Sequence, residues 1–184
     1  MLSPKSYKPA SYINDLRIDE RNNCIYMTDS GEPGIVVFNL STKESKRVLD
    51  NHYSTKAETD YLTINGVKWN NTVHSDGIAF NSKTNRLYYH SLTRYNLYSV
   101  SADLLNNGDK EQIEADVKLV AKTATPDGMI FDDKGILYFG DLENNKIQYL
   151  TLNGKINTLC EGEKIMWQIS LVFTMAIYFI QTQG

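Results

Sequence analysis

Short stretches of alternating apolar and polar residues recur along the chain, separated by polar turns. The clearest copy runs from Pro126 to Asp141, where an apolar strand at 129–131 leads through the polar turn 132–135 into a second strand at 136–139. Two strands of period-two character joined by a turn that contains glycine are typical of an antiparallel hairpin. The pattern therefore predicts β-structure built from hairpin units.

Two further copies of this hairpin precede it, at 14–29 and 75–91. Aligned on their turns, the copies place Asp15, Asp76 and Asp127 before the first strand, at intervals of 61 and 51 residues. A tyrosine lies within each second strand, as Tyr26, Tyr88 and Tyr138. Self-similarity at a period of roughly 40 to 60 residues is typical of a propeller or a solenoid.

Each copy continues into further short strands, and a unit of four antiparallel strands is a propeller blade. The sequence therefore predicts an all-β fold, an incomplete fragment of a β-propeller with about three blades inside residues 1–164. The predicted blades lie near 12–50, 74–101 and 125–160. Three blades do not close a ring, so we expect either a piece of a larger protein or a chain that self-associates.

The segments between and after the copies are less regular. We expect residues 51–71 to form a polar loop between blades, and we leave a short helix within 102–117 as one of two equal alternatives. The apolar tail 165–184 should begin a fourth copy near Trp167, but its turn residues are missing, which indicates a truncated or altered fourth blade. Its apolar run, 165–180, is shorter than the ~20 residues of a membrane-spanning helix, so a membrane span is not favoured.

Composition narrows the class of protein. The chain has 184 residues, 41% apolar and 22% charged, with a net charge of −3, which is typical of a soluble globular protein. Lys and Arg are scattered and form no basic patch, so no nucleic acid is expected as a partner. Cys24 and Cys160 are interpreted as buried thiols. The N-terminus has no apolar core of a signal peptide, so none is expected in this chain.

Several segments, in order, resemble the yellow and major royal jelly protein family, including its bacterial members. The resemblance covers Tyr12 to about Ile147. It is carried by YINDLRID at 12–19, TDSG at 28–31, IVVFNL at 35–40, RVL at 47–49, HSDGIA at 74–79 and LYYHSL at 87–92. It implies a six-bladed propeller, usually secreted, and hence an extracellular protein whose first blades and signal peptide are missing from this chain.

A more distant resemblance, to the regucalcin and gluconolactonase family, concerns chemistry. In that family, Asn and Asp residues on the inner strands line the central channel and hold a divalent cation. The resemblance implies that Asp76 and Asp127 are metal ligands and that Asn14 faces the substrate. The metal-binding Glu of that family's first blade has no counterpart here.

The residues themselves support a site at these positions. Inner strands of successive blades meet around one axis, so Asp15, Asp76 and Asp127 should converge. Carboxylates suit Ca²⁺ or Mg²⁺, with Zn²⁺ as a further candidate, and a bound cation would polarise a lactone carbonyl for attack by water. The alternative is that each Asp caps its own turn by accepting backbone N–H bonds.

Three functional interpretations remain open. The first is a yellow or royal jelly-like propeller that binds a small-molecule ligand, with Asn14, Asp15 and His74 as ligand-binding residues. The second is a metal-dependent lactone hydrolase, with Asp127 as its catalytic residue. The third is a non-functional fragment. His90, at the end of a strand, is more often a hydrogen-bonding residue than a general base.

Overall fold

The computed structural model describes residues 2–173 and 178–182, and their elements are nearly all strands. The first blade comprises β1 (Ile13–Asp19), β2 (Cys24–Asp29), β3 (Gly34–Asn39) and β4 (Ser45–Val48). A 3-10 helix (Tyr53–Thr55) and the strands β5 (Tyr61–Ile64) and β6 (Val67–Asn70) follow. The second blade comprises β7 (Ser75–Asn81), β8 (Arg86–Ser91), β9 (Asn96–Ser101) and β10 (Lys118–Lys122), with α1 (Ala102–Asn107) and α2 (Lys110–Ala115) between its last two strands. The third comprises β11 (Met129–Phe131), β12 (Leu137–Asp141), β13 (Lys146–Leu150) and β14 (Ile156–Glu161), followed by β15 (Gln168–Phe173) and β16 (Tyr178–Thr182).

Each blade is a four-stranded antiparallel meander, with sequential strands as neighbours. The predicted all-β fold, an incomplete β-propeller fragment of about three blades, is confirmed, and the structure has three four-stranded blades. The second blade extends beyond the predicted residue 101, because β10 pairs with β9 after the two short helices. A helix within 102–117, one of the two alternatives, is thus present as a pair of helices.

The turn after the inner strand uses the same chemistry in every blade. Asp19, Asn81 and Asp132 each accept a backbone N–H from their own turn, from Asn22 at 3.1 Å, Lys83 at 3.1 Å and Lys134 at 2.9 Å. Such side-chain acceptors fix the turn and with it the pairing of the two strands. The same turn chemistry therefore follows the inner strand in all three blades, although the turn of the third blade is one residue shorter.

The hydrophobic core lies between successive blades. Tyr26 of the first blade packs on Phe80 of the second, with ring centroids 5.9 Å apart. Tyr88 of the second blade repeats this contact with Phe131 of the third, at 4.8 Å. The tyrosine of the repeat is therefore the residue with which a blade contacts its successor, which explains its recurrence.

The linker 51–71 and the tail 165–184 both contain strands. Residues 51–71 contain the hairpin β5–β6, whose Asn65–Gly66 turn has φ values of +51° and +76°. Asn-Gly between alternating residues is a strong hairpin signal, so the prediction of a loop was wrong there. The tail contains β15 paired with β16, whereas residues 174–177, which include part of the predicted Tyr-centred strand, lie outside the described residues.

Two further predictions concerned the cysteines and a membrane span. Cys24 and Cys160 are free thiols, the first buried and the second half-buried. None of the helices in the described ranges has the length and apolarity needed to cross a membrane.

Candidate functional site

The inner strands of the three blades begin at one cavity. Its volume is about 690 Å³, and its lining includes Asn14, Asp15, Asp76 and Asp127. The structure thus brings together four of the five residues that the sequence proposed for a site. Their roles as metal ligands, ligand-binding residues or, for Asp127, a catalytic residue stay predictions.

Strand register shows that Asn14, rather than Asp15, is the equivalent of Asp76 and Asp127. One cross-strand pair between the first two strands occupies the equivalent position in each blade: Leu16 with Met27, Ile78 with Tyr89, and Met129 with Phe139. The residues two positions before the first member of each pair are Asn14, Asp76 and Asp127. The sequence alignment of Asp15 with the two aspartates was therefore wrong by one residue, because it matched identical side chains instead of paired positions.

Glycine occupies the position that Asp15 holds in the first blade. At Gly77, an added Cβ would lie 2.9 Å from the carbonyl oxygen of Asp127 and 3.2 Å from that of Pro126. Real Cβ atoms avoid such contacts, so a side chain at Gly77 would push the second and third blades apart. The glycine after Asp76 is needed for the close approach of the two aspartates' strands.

Asp76 is the most buried carboxylate of the cavity, at 3% exposure. Its Oδ1 accepts a hydrogen bond from the amide of Asn14, and its backbone carbonyl accepts one from the Thr28 hydroxyl at 2.8 Å. Burial, followed by the negative charges of Asp127 and Asp15, raises the pKa of Asp76 well above its usual value. Ionisation of the Asp76 carboxyl group is therefore unfavourable in this environment.

Asp127, just before the neighbouring inner strand, is in a similar state. Burial raises the pKa of Asp127 to about 6, the charge of Asp15 acts in the same direction, and a hydrogen bond from Trp167 opposes them. That bond joins Trp167 Nε1 to Asp127 Oδ2 at 2.8 Å. In the described part of the chain, the hydrogen-bond donors to the Asp76 and Asp127 carboxylates are side chains, so the turn-capping role proposed as the alternative belongs to other residues.

Asp15 differs from these two carboxylates, because it has local partners. Its Oδ1 accepts the backbone N–H of Leu16 at 2.7 Å and the guanidinium of Arg17 at 2.8 Å. Arg17 also donates to the carbonyl of Met129 at 2.8 Å, which ties the first blade to the third. The contact with Leu16 is of the kind that the turn-capping alternative predicts for Asp15.

Aromatic side chains form much of the remaining lining, and the sequence did not single them out as functional. They are Tyr12, Trp69 and Trp167. Trp69 and Trp167 meet edge to face, with centroids 5.2 Å apart and an interplanar angle of 83°. Trp167 has φ of +42°, a strained conformation for a bulky residue, and such strain concentrates at functional sites. Trp69 comes from the unpredicted hairpin β5–β6, which explains why it was missed.

The histidines lie outside this lining. His74 Nδ1 accepts the backbone N–H of Ala57 at 3.0 Å, and burial lowers the pKa of the His74 imidazole. His90 is fully buried against Thr123 at 3.0 Å, and burial lowers its pKa to about 3. Both imidazoles are therefore neutral at physiological pH. The ligand-binding role of His74 stays a prediction that the cavity lining does not support.

Oxygen donors for a metal ion are present but few. Among residues 2–173 and 178–182, no group of three or more His, Cys, Asp and Glu side chains is arranged to hold a metal ion. Asp76, Asp127 and the amide oxygen of Asn14 are nonetheless the ligand types that Ca²⁺ and Mg²⁺ take, and water completes the shell of such ions in many proteins. The donor set therefore fits a hard cation with water among its ligands.

Replacing Trp167 by phenylalanine tests the electrostatics of the site. The substitution removes the N–H donor that stabilises the Asp127 carboxylate, so we expect the pKa of Asp127 to rise above about 6. A carboxyl-carbon NMR titration of Asp127 measures it. Trp69→Phe, which keeps the aromatic contact and the Trp167 donor, is the matched control. An unchanged pKa of Asp127 in Trp167→Phe would contradict the geometry.

Comparison with solved structures gives the same fold. A chain of the nidogen–laminin complex has a TM-score of 0.65 at 17% identity, over 90% of this chain and 54% of that one. A gluconolactonase of Xanthomonas campestris has a TM-score of 0.65 at 14% identity, over 96% of this chain and 57% of that one. At these identities the likeness shows the fold alone.

Comparison of sequences gives the family. Major royal jelly protein 3 of Apis mellifera is 24% identical over 132 residues, which are 71% of this chain and 24% of that protein. The matched region is thus about a quarter of the relative's length. The family model described as major royal jelly protein matches residues 1–160. The chain belongs to the major royal jelly protein family.

Proposed function

We propose that this chain forms part of a ligand-binding propeller whose cavity at the starts of the inner strands binds a positively charged ligand. The observation that carries the proposal is the charge of the lining. Asp15, Asp76 and Asp127 contribute carboxylates, while no Lys, Arg or His side chain lines the cavity in the described part of the chain. Asp15 has Arg17 as a partner, so the uncompensated charge belongs to Asp76 and Asp127.

The raised pKa values of Asp76 and Asp127 support the same proposal. Asp76 is buried and Asp127 is half-buried, and a cation placed between or beside the two carboxylates would stabilise both. The two tryptophans add a second attraction, since the face of an indole attracts an ammonium group. Both a divalent metal ion and an organic ammonium ion satisfy this chemistry, and an experiment distinguishes them.

Calorimetric titration tests cation binding with CaCl₂, MgCl₂ or ZnCl₂ in one arm and tetramethylammonium chloride in the other. We expect the wild-type protein to bind the cation of one arm. The affinity of Asp127→Asn for that cation should be lower by about tenfold or more, which corresponds to a loss of ~1.4 kcal/mol in binding free energy from the weakened charge contact. Asp133→Asn removes the same charge from an exposed turn outside the cavity and should bind as wild type does. Equal affinities in Asp127→Asn and wild type, or no binding in either arm, would overturn the proposal.

The second candidate function is a metal-dependent lactone hydrolase. The observation that favours it is the placement of Asp76 and Asp127 at equivalent positions of successive inner strands, from which they would hold a divalent cation. Such a cation supplies polarisation of a lactone carbonyl. Hydrolysis of gluconolactone above the uncatalysed rate, abolished by a chelator and in Asp127→Asn, is the expected result, and its absence excludes this candidate.

The extracellular location expected from the family resemblance stays a prediction.

A further inference from the structure

The hairpin β5–β6 belongs to the linker between the first two blades, but it forms one wall of the cavity. Trp69, on β6, lines the cavity and meets Trp167 edge to face, and we call this pair the aromatic wall. Leu62 pairs with Trp69 across the hairpin and is buried in one cluster with Leu92 and Leu142. An isolated two-stranded hairpin is marginally stable in water, so the position of Trp69 depends on what holds the hairpin to the blades.

The turn between β12 and β13, in the third blade, makes polar contacts to this hairpin. Glu143 Oε1 accepts the backbone N–H of Thr63, on β5, at 2.7 Å. Asn145 Nδ2 donates to Oδ1 of Asn65, in the hairpin turn, at 2.6 Å. A carboxylate that accepts a backbone N–H forms a charge-assisted hydrogen bond, which is stronger than one between neutral groups. The third blade therefore holds both the strand β5 and the turn of a hairpin that comes from between the first and second blades.

Glu143 is itself held by the second blade. Its Oε2 accepts the hydroxyl of Tyr95, in the turn between β8 and β9, at 2.8 Å. Burial and this hydrogen bond raise the pKa of Tyr95 to about 12, so the hydroxyl remains a donor at neutral pH. Both carboxylate oxygens of Glu143 thus have a partner, and the side chain joins the second blade, the third blade and the hairpin.

The fold of a blade does not require a glutamate at this place. The turn between β2 and β3 of the first blade has the same length as the turn between β12 and β13. Gly31 is the second residue of that turn, as Glu143 is of its own. The first blade nevertheless forms the same four-stranded meander without a side chain there. The contacts of Glu143 therefore serve the hairpin rather than the blade that contains this residue.

We infer that Glu143 is a positioning residue of the cavity, which holds the hairpin β5–β6 where Trp69 completes the aromatic wall. The inference rests on the proposed function, because it assigns this wall to the binding of the cavity's ligand. Trp69 packs on the Trp167 indole, whose Nε1–H donates to Asp127. A hairpin released from Glu143 would loosen the contact between the two tryptophans and, with it, the hydrogen bond to Asp127.

NMR and near-UV circular dichroism of the full chain test this inference. The chain contains two tryptophans and both line the cavity, so their signals report the aromatic wall selectively. Glu143→Ala should raise the hydrogen-exchange rate of the Trp167 indole N–H by about tenfold or more, because local opening exposes it to water. The near-UV signal of the tryptophan pair should weaken, while the far-UV spectrum stays that of wild type. Glu143→Gln should restore both signals, since its amide oxygen still accepts from Thr63 and its amide N–H can donate to the Tyr95 hydroxyl.

Glu20→Ala is the matched control, since Glu20 is exposed in the turn between β1 and β2, at the far end of the inner strand from the cavity. It should change neither signal. Unchanged indole exchange in Glu143→Ala, or no recovery in Glu143→Gln, would overturn the inference.

The calorimetric titration supplies the binding readout. Glu143→Ala should bind the cation that wild type binds about threefold to tenfold more weakly. Wild-type affinity in Glu143→Ala despite faster indole exchange would also overturn the inference. The indole measurement needs no ligand, so the two failures are distinct. A wild-type protein that binds no cation would overturn the proposed function, and the exchange rates would still decide whether Glu143 positions the aromatic wall.

Discussion

Replacing Asp29 by alanine is expected to lower the free energy of unfolding by about 3–5 kcal/mol, the cost of breaking a buried ion pair from one side. Asp29 has no exposed surface and forms an ion pair with Arg47 at 2.7 Å. Its other oxygen accepts the backbone N–H groups of Tyr12 at 2.9 Å and Glu32 at 3.0 Å. The substitution would leave a buried guanidinium and these N–H groups without their acceptor.

Urea denaturation followed by circular dichroism measures the loss, and Asp50→Ala is the control. Asp50 also contacts Arg47, at 2.6 Å, but its side chain is 43% exposed, so we expect a loss below about 1 kcal/mol. Equal losses in the two variants would contradict the assignment of Asp29 as the central acceptor.

The pH dependence of stability provides a second measurement on Asp29. Burial alone would raise the pKa of Asp29, but hydrogen bonds from Ser11, Glu32 and Arg47 outweigh burial and lower it below 3.8. A group whose folded pKa is lowered stabilises the fold above its unfolded pKa and loses that contribution as pH falls through the folded pKa. The advantage of wild type over Asp29→Ala should therefore shrink below about pH 4.

The repeat could be predicted from the sequence because the core of a propeller depends on the local pattern of apolar and polar residues. Tyr26 and Tyr88 recur since each contacts an aromatic residue of the following blade. The turn residues Asp19, Asn81 and Asp132 recur since each closes the same hairpin. Alternation, turn chemistry and an interface repeated in every blade all indicate the same strands.

Only part of the candidate site could be predicted from the sequence, for a physical reason. Aspartates at the inner strands were predicted to converge, but the equivalence of Asn14 with Asp76 depends on strand register, which is set by pairing rather than by residue identity. Trp167 reaches Asp127 across 40 residues of chain. Contacts between side chains distant in sequence leave no periodic signal, so the aromatic lining emerged only from the structure.

Replacing Asp76 by asparagine should produce the opposite result to the loss at Asp29, a gain in stability of roughly 1–3 kcal/mol at neutral pH, the scale of an uncompensated buried polar or charged group. Both aspartates are buried, but Asp29 has a guanidinium beside it, whereas Asp76 faces Asp127 and Asp15. Asparagine keeps an oxygen that can accept from Asn14 and removes the charge. The same substitution should weaken cation binding by about tenfold or more.

The pH profile distinguishes this explanation from a simple change in packing. Because the folded pKa of Asp76 is raised above 3.8, its ionisation destabilises the fold, and the cost grows as pH rises from the unfolded pKa to the folded one. The stability gain of Asp76→Asn should therefore be small near pH 4, increase with pH and then level off, while Asp133→Asn changes little throughout. A gain that is constant with pH, or a loss at neutral pH, would refute the electrostatic origin. A stability cost at Asp76 that coincides with binding is the signature of a residue retained for its ligand, since a fold alone is better served by the neutral side chain.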